Sequence, residues 1–128
     1  MAMQLLYSEI TGPVIGAAME VHKIVGCGFL ESVYEEAFAI ELDLRNISYK
    51  RQHLLDIFYK GKLAKHFVCD FIIEDLVVIE LKALSQLGDL EKAQVSNYLK
   101  ATKLPVGLLL NFGTRSLEYK RFANTKSM

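Results

Sequence analysis

Apolar residues change their spacing at Ile47, and that change restricts the fold more than any other feature of the chain. Before it they recur at helical intervals: Ile10, Val14, Ala17, Ala18, Val21, Ile24 and Val25 in one run, then Val33, Ala37, Ile40 and Leu44 on one face of the next. After it come short strand-like segments separated by turn signals. Ser8-Glu9 predicts the start of the first helix, and Gly26-Cys27-Gly28 its end. The second helix is expected over residues 30–45, with Asn46 as its stop. Strands are expected over residues 49–59, 64–73 and 77–82, with turns at Lys60-Gly61-Lys62 and Glu74-Asp75. A third helix is expected over residues 90–102 with Asp89 as its N-cap. Two further strands follow at 106–111 and 117–122, with a frayed tail from about Ala123. Two helices, three hairpin-linked strands, a helix and two strands make an α/β fold, a mixed sheet of about five strands flanked by helices. The third helix is read as a crossover, which sets the strand at 106 parallel to the strand at 77.

A chain of 128 residues is expected to form one domain over residues 1–128, large enough for its own core without disulfides. The opening residues show no basic region followed by a long apolar one, so no signal peptide is read. The longest uncharged apolar stretches are about half a membrane span, so no membrane partner is expected. Cys27 and Cys69 are too few for a disulfide framework, and a cytoplasmic location with reduced thiols is expected.

The formal net charge is zero, but the charges come in blocks. Residues 1–44 hold seven acids and only Lys23. Residues 45–66 hold six basic residues and only Asp56. Residues 67–91 hold six acids and only Lys82, and residues 92–128 hold seven basic residues and only Glu118. The plain reading is solvated surface. The sharper one is a basic rim around an acidic centre, suited to metal-dependent chemistry on a polyanion.

The acidic centre is defined by strand alternation. In Val77-Val78-Ile79-Glu80-Leu81-Lys82, Val78, Glu80 and Lys82 share one face, while Val77, Ile79 and Leu81 point into the core. Taken alone, Glu80 and Lys82 read as a surface ion pair. Asp70 lies inside the preceding strand, between Val68 and Ile72 on one face, where aspartate is unfavourable and needs a reason. A three-residue loop, Glu74-Asp75-Leu76, sets Asp70 opposite Glu80, whereas a two-residue turn separates them. Facing carboxylates repel unless a cation or a proton lies between them. Mg²⁺ or Mn²⁺ suits two or three carboxylates completed by water. On the third helix Gln94 and Tyr98 are stacked one turn apart. Glu31 and Tyr34 share one side of the second helix, and taken alone they read as a first-turn acid and a core tyrosine. His22, His53 and His66 are scattered without metal-ligand spacing, and Cys69 reads as a buried thiol facing away from Asp70.

These motifs together resemble a known family. Gly28-x-x-Glu31-x-x-Tyr34 is similar to the signature of the GxxExxY family. Asp70, Glu80-x-Lys82 and Gln94-x-x-x-Tyr98 resemble the motifs of the PD-(D/E)xK nuclease superfamily, in its recombination exonuclease-like branch with a QxxxY helix. Cys69 stands where the superfamily name has Pro. The resemblance covers residues 8–122 and implies a restriction-endonuclease-like fold. It further implies Asp70 and Glu80 as main ligands of Mg²⁺ or Mn²⁺, the Leu81 carbonyl as a completing ligand, and Glu31 as a further ligand, direct or through water. Lys82 would orient or activate the attacking water and steady developing negative charge. Gln94 and Tyr98 would brace the site or contact a phosphate.

The leading expectation is a metal-dependent nuclease acting on nucleic acid, with DNA the expected polymer. Lys50, Arg51, Lys60, Lys62 and Lys65 on the first hairpin are candidate backbone contacts. The competing expectations are a weakly active or inactive binding or assembly module on the same fold, and a structural domain whose Glu80–Lys82 pair has no ligand. Pairing into a homodimer, or with an unidentified protein, is left open.

Overall fold

The computed structural model describes residues 7–124. Helix α1 (Ser8–Val25) and helix α2 (Glu31–Leu44) precede a hairpin of β1 (Tyr49–Tyr59) and β2 (Lys62–Ile73). Strand β3 (Val77–Lys82), helix α3 (Asp89–Thr102), β4 (Val106–Asn111) and β5 (Glu118–Ala123) follow. The five strands lie in chain order, antiparallel except for β3 and β4, which run parallel with α3 as the crossover between them. The expected α/β architecture is therefore the observed one. Among the described residues no helix is long and apolar enough to cross a membrane.

The turns follow from local chemistry. Lys60 and Gly61 both take positive φ, which matches a two-residue hairpin turn to the strand twist, so β2 already begins at Lys62. Glu74 and Asp75 also take positive φ, and the Leu76 amide donates to the Ile73 carbonyl at 2.9 Å. The β2–β3 connection therefore holds three residues, and Ile73 pairs with Val77, Ile72 with Val78 and Phe71 with Ile79.

Helices α1 and α2 cover one face of the sheet. There Tyr34, Phe38 and Leu42 meet Phe71, Ile73, Ile79, Leu81, Leu108 and Leu110 in the larger core. Helix α3 covers the other face, where Tyr98 and Leu99 pack on Leu55, Cys69, Ile72 and Val78. Because both faces of β3 and β4 are covered, these strands are nearly continuous apolar runs.

Four local expectations are corrected. Of the face of α2 formed by Val33, Ala37, Ile40 and Leu44 only Ala37 packs against the core, which is made by Tyr34, Phe38, Ala39 and Leu42 instead. The N-cap of α3 is Gly88 rather than Asp89, with the Glu91 carboxylate accepting the Gly88 amide at 2.6 Å. Ala123 ends β5, and the Asn124 side chain donates to the Leu99 and Leu104 carbonyls at 3.0 and 3.1 Å, so both are held; the tail expected to fray lies otherwise outside the described residues. The fourth concerns only the side of the sheet on which Cys69 lies, since it is buried as expected, and that side bears directly on the acidic centre.

Candidate metal and phosphate site

Strict alternation along β2 would put Cys69 and Phe71 on one face, yet Cys69 lies in the α3-side core and Phe71 in the α2-side core. The sheet switches faces between them, at Asp70. Across from Asp70, Gln52 has φ +50, a left-handed backbone that breaks the ladder between the pairs Arg51–Phe71 and His53–Cys69. The β2–β3 ladder also ends at Phe71–Ile79. Asp70 thus stands where β2 parts from β3, and this is the reason an aspartate is tolerated there. Its Oδ2 accepts the Leu81 amide at 2.8 Å, replacing a ladder bond with a side-chain bond. Cys69 is fully buried, and burial pushes its thiol up to about 12, so it is an inert core residue.

One step beyond the Phe71–Ile79 pair lie Asp70 and Glu80, near enough for the Asp70 charge to act on Glu80. Glu80 is only 4% exposed, and its Oε2 lies 3.4 Å from Lys82 Nζ. Burial pushes the Glu80 carboxyl up to about 8; the Asp70 charge adds to this, and Lys82 and the Asp70 backbone amide pull the other way. Burial likewise raises Asp70, against the lowering pull of the Leu81 amide, Lys82 and Gln52. Glu80 Oε1 is buried without any hydrogen-bond partner. An unpartnered buried carboxylate oxygen, beside a second carboxylate, is the observation that fits a divalent cation.

Glu31 begins α2, and its carboxyl is raised by partial burial; Lys82 lowers it and Asp70 raises it. It therefore faces the same centre from the helix side. Among the described residues, no three acidic, histidine or cysteine side chains form a metal-ligating group. The structure brings together two carboxylates, with Glu31 within electrostatic reach. Tyr34 is fully buried, donating to the Gly26 carbonyl at 2.6 Å and accepting the Phe29 amide at 3.2 Å. It holds the loop that aims Glu31.

Gln94 Nε2 donates to Tyr98 Oη at 3.0 Å, and Tyr98 Oη donates to the Val68 carbonyl at 3.4 Å. Gln94, Tyr98 and Lys82 share the wall of a groove of about 820 Å³ between α3 and the β1–β2 hairpin. Phe58, Phe67 and Lys100 line it further out.

The hairpin cations divide. Arg51 is bound by Glu35 at 2.7 Å and Glu36 at 2.5 Å, which raise its pKa, and Lys50 pairs with Asp75 at 2.9 Å. Lys60, Lys62 and Lys65 are exposed on the hairpin arm. His22 bonds the Thr114 carbonyl at 2.8 Å and His66 pairs with Asp56 at 2.5 Å.

Glu35 and Gln52 were not read from the sequence. Gln52 donates to Glu35 and to Asp70, and Glu35 also binds Arg51. The one available signal was Glu35 lying a helical turn beyond Glu31. Asn111, fully buried at the end of β4, was also missed. It donates to the Leu84 carbonyl at 2.9 Å and accepts the Leu84 amide at 2.9 Å, pinning the chain just after Lys82.

A family model of the PD-(D/E)XK nuclease superfamily matches residues 8–122, nearly the whole chain. No curated protein matches significantly. Among solved structures, one titled "Crystal structure of SSO0001" superposes with a TM-score of 0.54 at 19% identity. The match covers 94% of this chain and 61% of that one, so this chain spans less than two thirds of that protein. At that identity the likeness establishes the fold.

Proposed function

The chain belongs to the PD-(D/E)XK nuclease superfamily, and from that premise we propose that it hydrolyses phosphodiester bonds of nucleic acid, DNA foremost, with a bound Mg²⁺ or Mn²⁺. The observation that carries this reading is the unpartnered Glu80 Oε1, buried beside Asp70 where β2 parts from β3. Asp70 and Glu80 would hold the cation, the Leu81 carbonyl would complete its shell, and Glu31 would reach it through water. Two carboxylates with the remaining positions left to water and phosphate suit Mg²⁺. When bound, the cation supplies a more acidic water and neutralises charge on the phosphoryl oxygens.

The chain's own residues do the rest. Lys82 is tethered at 3.4 Å to Glu80, where its ammonium would steady developing negative charge. Tyr98 and Gln94 hold each other in one geometry, leaving Gln94 to meet a phosphate at the groove wall. Exposed Lys60, Lys62 and Lys65 would track the backbone further out. Lys50 and Arg51, proposed on the same hairpin, spend their charge on Asp75, Glu35 and Glu36. A cytoplasmic setting with reduced thiols belongs to the same reading.

Calorimetric titration of Mn²⁺ and Mg²⁺ into wild type and Glu80→Ala, with cleavage of labelled single- and double-stranded DNA in parallel, tests it. Binding and cleavage should both vanish in the variant. Metal binding without cleavage would move the reading to a binding or assembly module. Metal affinity unchanged in Glu80→Ala and Asp70→Ala would refute the site.

A further inference from the structure

Helix α2 carries an apolar seam that the described fold uses only in part: Ala37 is half-buried against the core, while its neighbours along the seam are exposed. Leu30, the residue just before the helix, and Val33, Ala37, Ile40 and Leu44 lie alternately three and four residues apart, the spacing of a coiled-coil seam. Leu30 is 77% exposed, Ile40 59% and Leu44 73%. The side of α2 that enters the core is the separate row Tyr34, Phe38 and Leu42.

The order of residues along the seam points to what covers it. From either end it reads leucine, β-branched residue, alanine, β-branched residue, leucine. Turned end for end on itself, Leu30 meets Leu44, Val33 meets Ile40, and the two Ala37 meet at the centre. An interface between identical chains on a two-fold axis has to be self-complementary in this way. A small residue at the crossing point lets the helices approach closely. The rim is acidic, but Arg51 binds Glu36 and Arg45 binds Glu41 at 2.7 Å, which leaves Asp43 as the main like charge. The rim therefore does not demand a basic partner.

We propose that α2 docks antiparallel on α2 of a second copy of this chain, through Leu30, Val33, Ala37, Ile40 and Leu44. Fourteen residues at about 1.5 Å each make a seam of roughly 21 Å. One short helix face covers less than the roughly 800 Å² per partner of a standard interface, and association in the micromolar range or above is expected. It strengthens with added salt, because salt screens the Asp43 repulsion.

Sedimentation of the full chain from micromolar to millimolar concentration tests the proposal. The wild-type mass should rise toward two chains, and Ile40→Glu and Leu44→Glu should weaken association roughly tenfold or more. Both positions are exposed, so circular dichroism should show an unchanged fold. In a Cys27→Ser background, Ala37→Cys should cross-link to itself, and Leu30→Cys should cross-link to Leu44→Cys, since a disulfide needs Cα atoms within about 7 Å. A wild type that stays one chain at millimolar concentration overturns the proposal and leaves the seam to a helix of another protein. A dimer untouched by Ile40→Glu, or Leu44→Cys cross-linking to itself, overturns it as well. Ile40 and Leu44 belong to no part of the proposed metal site, so metal binding and cleavage should be unchanged in Ile40→Glu and Leu44→Glu, and the two readings fail separately.

Discussion

Glu80 is a carboxyl held in a place that disfavours its charge. Its pKa rises from an ordinary 4.5 to about 8 on folding, chiefly through burial. A carboxyl raised on folding stabilises the folded chain fully below its ordinary pKa, and that contribution is gone once pH passes the raised value. Asp70 and Glu31 shift the same way. Glu36, held down by Arg51, acts in the opposite sense, its contribution falling away in acid. The metal-free protein is therefore expected to melt at lower temperature as pH climbs from about 5 to about 8.5. Thermal unfolding with and without Mn²⁺ checks this: Glu80→Gln should flatten the pH dependence and lose stabilisation by the metal. A variant still stabilised by Mn²⁺ would speak against the site. Tyr34 makes a second residue-scale case. Tyr34→Phe keeps the ring stacked at 4.8 Å on Phe112 but removes the hydroxyl serving Gly26 and Phe29. The expected loss is about 1–3 kcal/mol in chemical denaturation. The sequence places this tyrosine in the core, but which backbone groups its hydroxyl satisfies depends on how the Gly26–Phe29 loop folds back.

At the scale of elements, α3 sits where it does because β4 offers it a glycine. A Cβ on Gly107 would come within 2.7 Å of Val95 Cγ1. Gly107→Ala should push α3 outward, cost about 1–3 kcal/mol by overpacking, and weaken metal-dependent activity through Tyr98 and Gln94. Denaturation and activity assays read both. Gly113 is tighter still, since a Cβ there would meet the Leu84 carbonyl oxygen at 2.3 Å. Backbone cannot yield as a side chain can, so Gly113→Ala should be the more damaging, and expression with circular dichroism checks it. The bounds of β1, β3 and β4 were legible because apolar runs framed by turn residues leave little choice. The buried side of α2 was not, because the helix carries two apolar rows. Spacing cannot tell a row that meets a sheet from one that meets solvent or another helix. The face switch at Asp70 was equally hidden: nothing in Gln52 announces a left-handed backbone.

For the whole molecule, neutrality conceals a division of labour among the cations. Lys60, Lys62 and Lys65 are exposed on the hairpin arm, with the Lys60 ammonium over the Tyr59 ring and that of Lys65 over Phe67, whereas Arg51 is tied to Glu35 and Glu36. Replacing the three lysines by alanine should weaken DNA binding and flatten its salt dependence by roughly 0.7–0.9 in log–log slope per lysine. Arg51→Ala should instead lower stability with little change in that slope, because it leaves Glu35 and Glu36 facing each other without a cation. Fluorescence anisotropy across a salt series separates the two outcomes. The block pattern of charge was visible in the sequence, but its partition into binding and bracing residues was not. Ion pairs between α2 and β1 are contacts between distant segments.

The sequence alone determined the order and type of the elements, the parallel crossover and the identity of the acidic centre. These rest on short-range periodicity and on residues whose spacing carries their meaning. Even the odd register that sets Asp70 against Glu80 was framed as one of two turn lengths. Only the tertiary structure decided between them, through positive φ at Glu74 and Asp75. It likewise decided which row of α2 is core, which cations are spent internally and how deeply Glu80 is buried. Burial, ion pairing and face are properties of what packs against a residue, and a single chain read in order does not contain its neighbours in space.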